Sequence, residues 1–131
     1  MDEDQDEDDL ELDQLKAAVQ LTRRAVDIMA DSENAAARAG RRAKKRGLSR
    51  REVEEAEIDA GEEHLMAGLD EAHDDLEEEY SVSLRSVRRQ LDRFITSGGD
   101  LEVLLEDGTR ELEEAIRVRK ERRRKMKTGK S

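Results

Sequence analysis

Large apolar side chains are too few and too regularly spaced in this chain to build anything but narrow helical seams. Leu, Ile, Val and Phe supply 26 of its 131 residues, about one fifth, close to the composition of chains that stay unfolded. Tyr80 and Phe94 are the sole aromatics. Such a chain cannot fill a wide globular core, nor line the broad apolar pocket that a buried active site normally uses. It can fill a stripe along a helix. The absence of proline and the abundance of Ala, Glu, Arg and Leu favour long uninterrupted helices.

The absence of cysteine excludes disulfides and thiolate metal sites. No apolar run approaches the roughly 18 residues that a membrane-spanning helix needs. The N-terminus is acidic, the opposite of a signal peptide's basic first region. The absence of cysteine is silent on compartment, but the other two features predict an intracellular, cytoplasmic chain or one held within an assembled particle.

The apolar spacing predicts an all-α fold with coiled-coil-like packing. It consists of a long antiparallel hairpin, about 8–46 and 50–97, plus a returning C-terminal helical segment, about 101–126. Residues 1–8 read as an acidic leader, 9–126 as one elongated helical domain, and 127–131 as a flexible basic tail. In the first helix Leu12, Leu15, Val19, Thr22, Val26, Met29 and Ala36 recur at steps of three and four, or seven at the end. Asp31, Ser32 and Asn34 are potential interruptions. Gly47 is the expected stop. Ser49 with Glu52 forms the capping-box pattern that opens the second helix, with Leu48 and Val53 at staple positions. The second seam repeats every eleven residues: Leu65, Leu69, Ala72, then Leu76, Tyr80, Ser83, then Val87, Leu91, Phe94. Gly61 and Gly68 are either sites of close helix approach or weak points of a solvated helix. Gly98-Gly99 ends this helix, Asp100 caps the next, and Asp107-Gly108-Thr109 is expected to split the last segment. The residues expected to carry packing are Leu15, Val19, Val26, Met29, Leu65, Leu69, Leu76, Leu91 and Phe94.

Charge is segregated along the chain. Residues 2–13 hold nine acids and no base, 38–51 eight bases and no acid, and 52–79 fourteen acids and no base. Residues 117–130 hold nine bases against Glu121. A hairpin about Gly47 sets residue x opposite roughly 96 − x. Arg23 and Arg24 then meet Asp74 and Asp75, and bases 38–46 meet Glu52, Glu54, Glu55 and Glu57. The acidic leader meets Arg85, Arg88, Arg89 and Arg93, and the returning basic segment 117–127 meets 69–79. Exposed pairs are worth about 0–1 kcal/mol each, so they set register more than stability. The hairpin tip around Arg46, Arg50 and Arg51, and the tail residues Arg122, Arg123, Arg124, Lys125 and Lys127, remain as candidate contacts for an external anion.

Little else points to chemistry. Asp70, His73, Asp74 and Glu77 share one helical face, but His64 lies on the opposite side and the E-x-x-H pattern of di-iron bundles is missing. No nucleophile elbow or phosphate loop is present. No metal, cofactor, small-molecule substrate or catalytic residue is expected. Neither basic segment has the apolar face of a membrane-surface helix.

The chain is acidic, with 18 Arg against 7 Lys and a net charge of −10. In this it resembles proteins of salt-loving archaea and their viruses, although a high-GC genome also favours arginine. In broad style, helical with a basic C-terminal helix, it resembles the small assembly, scaffolding and connector proteins of tailed viruses, a likeness of composition carried by no motif. The expected role is non-enzymatic: a structural or assembly protein that packs with copies of itself or into a larger complex, as a virus particle component would. The alternative is a nucleic-acid-associated or packaging protein using the basic segments 38–51 and 117–130.

Overall fold

The computed structural model describes residues 3–128, with side chains for residues 9–126. It is all-α: α1 is Glu3–Lys45, α2 Arg50–Tyr80, α3 Arg85–Thr96 and α4 Leu101–Thr128. No strand occurs among the described residues, and no helix is long and apolar enough to cross a membrane. The chain divides into two compact units. One is Arg23–Asp75; the other comprises the residues up to Thr22 and those from Leu76 onward.

The Arg23–Asp75 unit is the expected antiparallel hairpin. α1 ends in a Schellman motif: Leu48 N–H donates to Ala43 C=O (3.2 Å) and Gly47 N–H to Lys44 C=O (3.0 Å). This motif needs a left-handed residue, and Gly47 supplies it at φ +77°. α2 opens with Glu52 N–H donating to Ser49 Oγ (3.2 Å), as the capping box predicts. Val53 at the staple position is buried. The expected register holds: Gly68 lies against Ile28, Gly61 against Ala36, and Arg24 pairs with Asp75 at 3.2 Å. α1 is not interrupted at Asp31–Asn34. Ser32 is buried within the helix, and its hydroxyl donates to Met29 C=O (2.7 Å), so its burial leaves no unsatisfied donor.

The other unit departs from expectation first at the end of α2. The second helix does not run on to Ser97. It stops at Tyr80, and Ser81 takes φ +53°, so a serine fills the left-handed position that glycine usually takes. The link to α3 is pinned from both sides. Gln14 Nε2 donates to Ser83 C=O (3.3 Å), Leu84 N–H donates to Glu77 Oε2 (2.8 Å), and the Leu84 side chain is fully buried. Had the helix continued, Phe94 would lie opposite residue 2 or so. Instead it faces the same cleft as Leu15, Val19 and Thr22. α3 therefore doubles back along α1. A second Schellman motif, at Gly98 (φ +79°), ends α3, with Gly99 N–H donating to Phe94 C=O (3.0 Å). Asp100 then caps α4 through Glu102 N–H (3.0 Å).

α4 is continuous where a split was expected. Gly108 sits in mid-helix facing Val19 of α1, where an added Cβ would stand 3.6 Å from Val19 Cγ2, an ordinary contact distance. Farther along, Arg119 pairs with Asp9, which fixes α4 antiparallel to α1. α1 itself starts at Glu3, earlier than the expected residue 8. Acids in a first turn favour this, since they complement the positive end of the helix dipole.

Candidate packing and charged surfaces

The nine expected packing residues fall into two groups. In the hairpin unit Leu69 is buried, while Val26, Met29 and Leu65 are half-buried. In the other unit Val19, Leu76 and Leu91 are buried, while Leu15 and Phe94 are half-buried. Sequence reasoning missed Ala17, Leu21, Ala25 and Leu84, all fully buried. Ala17, Leu21 and Ala25 form a second stripe on α1 at i, i+4, i+8. The regularity of the Leu15–Val19–Thr22 stripe concealed it. A helix buried on two faces shows two interleaved periodicities, and only one was read. The sequence carries a signal for it in the small and apolar residues at every fourth position.

Two open apolar clefts lie along the α1–α4 seam and share Leu15. One, of about 410 Å³, is lined mainly by Leu15, Val19, Leu91, Phe94, Leu104 and Leu105. The other, of about 270 Å³, is lined by Leu12, Leu15, Ala115 and Val118, with Glu11, Arg119 and Arg122 at its rim. Leu10, Val103 and Val118 are exposed on the same unit. Apolar surface is thus left uncovered along α1, α3 and α4.

The charge blocks pair differently from expectation. In the hairpin unit Arg24–Asp75 forms as predicted. Bases 38–46 do not pair with the acids opposite. Glu54 and Glu55 are taken by Arg50 (3.6 Å) and Arg51 (3.5 Å) within their own helix, and the Glu57 carboxylate lies over Gly40. Helical neighbours four residues apart meet without any chain reorganisation, so they outcompete partners across the hairpin.

In the other unit α3 reverses, and the side chains of leader residues 2–8 lie outside the described residues. Arg88 binds Asp92 at 2.9 Å, and Asp9 goes to Arg119 of α4. Arg85, Arg89 and Arg93 make no ion pair with any described residue. Of the tail candidates, Arg122, Arg124 and Lys125 have partners and Arg123 is exposed; the Lys127 side chain lies outside the described residues. Arg117 binds Glu114 and lies 3.9 Å from Glu121. The Glu114 hydrogen bond, and then the charges of Glu114 and Glu121, raise its pKa. Beside His73, the Asp74 carboxylate lies 3.3 Å from the ring Nδ1. The Glu77 carboxylate is engaged at the Leu84 N–H.

Comparison with protein-family models, with curated proteins and with solved structures gives no match.

Proposed function

We propose that this chain is a non-enzymatic structural subunit that assembles through its helical seams, with copies of itself or within a larger complex. The observation that carries this reading is the pair of adjoining apolar clefts sharing Leu15, which leaves Leu12, Phe94, Leu104, Leu105 and Val118 incompletely covered. A chain with so few large apolar residues gains most by covering those it leaves open. Each fully buried Val or Leu is worth about 1.5–3 kcal/mol.

The test is solution mass by light scattering, with Val118→Asp as the probe. Val118 is 37% exposed, so a charge there is tolerated by the free subunit but not inside an interface. The wild type is expected to be a defined oligomer. Val118→Asp should keep its helicity and weaken association at least about tenfold, the equivalent of 1.4 kcal/mol. A wild type that stays monomeric at about 100 μM, an affinity weaker than micromolar, would refute self-assembly.

A further inference from the structure

Eight bases occupy residues 38–51 with no acid among them, and the structure separates them into two sets. Arg50 and Arg51 are paired within α2. Arg38, Arg41, Arg42, Lys44, Lys45 and Arg46 are exposed and make no ion pair or side-chain hydrogen bond with any described residue. The negative end of the helix dipole accounts for cations in the last turn of α1, where Arg42, Lys44 and Lys45 stand. It does not account for Arg38 and Arg41, which lie farther in. Like charges at i and i+4 repel, so the arrangement costs the hairpin some stability.

The arrangement is also directional. Arg38, Arg41, Arg42 and Lys45 recur at i, i+3, i+4 and i+7, and together they line one open groove of about 350 Å³. We propose that this face binds the phosphate backbone of a nucleic-acid duplex without reading its sequence. Three of the four are arginines, whose planar forks match phosphate oxygens in pairs. The run covers about 10 Å of helix, against a phosphate spacing of about 3.4 Å per strand along a duplex, so it can meet several phosphates at once. The unit that carries the groove holds no aromatic on which an unstacked base could rest, since Tyr80 and Phe94 are the chain's sole aromatics and lie in the other unit. The acids of 52–75, in the same unit, are repelled by the same backbone, which disfavours engagement elsewhere on the hairpin.

The full chain is titrated into a fluorescent duplex of about 20 base pairs, read by anisotropy across a salt series. Four phosphate contacts predict a log–log salt slope near −3.6, about a hundredfold loss of affinity between 50 and 200 mM salt. The variant R38A/R41A/R42A/K45A should keep its circular dichroism, lose at least about tenfold in affinity at 50 mM and flatten the slope. R38Q/R41Q, which keeps good helix formers in place, should lose about half the slope and serves if the quadruple variant unfolds. R122A/R123A/R124A should bind as wild type. The proposal is overturned by absence of binding at 50 mM salt, by groove variants that bind as wild type, or by a loss that follows the R122A/R123A/R124A substitutions. It is also overturned if the groove variants change solution mass without any duplex, because the cations then meet an acidic protein surface.

Discussion

The two units solve the same shortage of apolar side chains in different ways. Residues up to Thr22 and from Leu76 onward bury Leu21, Leu76, Leu84, Leu91 and Leu101. Arg23–Asp75 buries one leucine, Leu69, with Val53, Ala25, Ala43 and Ala72. The first is held by leucines gathered from three helices and the end of a fourth. The second is two helices with a small-residue seam, in which Gly68 lies tight against Ile28 and Gly61 faces Ala36 at ordinary contact distance. Leucine burial removes much apolar area per residue, whereas a small-residue seam relies on close backbone approach and accurate register. Substitutions should therefore behave differently in the two: truncation should hurt the leucine-filled unit, and added methyl groups should report on the hairpin.

The largest effect is expected at Leu84. Its side chain is fully buried, and its N–H is held by Glu77 at the point where the chain turns back. Leu84→Ala should cost about 2–5 kcal/mol, the range for a leucine truncated in a core. Urea denaturation followed by circular dichroism measures it. A loss under about 1 kcal/mol would mean the cavity collapses freely and the leucine core is not what holds this unit.

That same turn marks the limit of what the sequence made legible. The hairpin register, both glycine stops, the Ser49 cap and the Asp100 cap could all be read, because each is encoded locally by a residue with one physical role. The break at Ser81 could not. It carries no glycine or proline, and the eleven-residue repeat passes through it unbroken, since Val87, Leu91 and Phe94 are apolar in either topology. What decides the outcome is tertiary: Gln14, Glu77 and the burial of Leu84 stabilise the turn, and none of these is a local signal. The expected split at Gly108 failed because one glycine costs a helix only about 1 kcal/mol, too little to end it while Leu104, Leu105, Leu112 and Ile116 on either side are half-buried. Of the candidate surfaces, the basic tip could be read from composition. The clefts beside Leu15 could not, because they exist only once α3 has doubled back.

A smaller effect of definite sign is expected at Gly68. A Cβ there would stand 2.7 Å from Ile28 Cγ2 and 3.2 Å from Cγ1. Ile28 is β-branched, and its restricted χ1 gives it little room to retreat. Overpacking of this kind costs about 1–3 kcal/mol, more than the roughly 1 kcal/mol that alanine gains over glycine in a helix. Gly68→Ala should therefore destabilise the hairpin. In a double-mutant cycle with Ile28→Ala the two changes should couple favourably by at least about 0.5 kcal/mol. Additive behaviour would break the claim that these two residues set the approach of the helices.

Gly61, seven residues earlier on α2, should respond in the opposite direction. A Cβ there would lie 3.5 Å from Ala36 Cβ and 3.6 Å from the Ser32 carbonyl oxygen, ordinary van der Waals distances. The helix approach at this level already leaves space for a methyl group, so Gly61→Ala need displace nothing. It should stabilise the protein by about 0.5–1 kcal/mol, because alanine loses less backbone entropy than glycine on entering a helix. The urea midpoint should rise with an unchanged slope, since neither the folded contacts nor the area exposed on unfolding change appreciably. A fall in the midpoint would mean that the helices approach too closely at Gly61 to admit a methyl group, so that both glycines are required by packing. Opposite signs at the two glycines would assign their roles: Gly68 is required by packing, while Gly61 is a weak point in the helix.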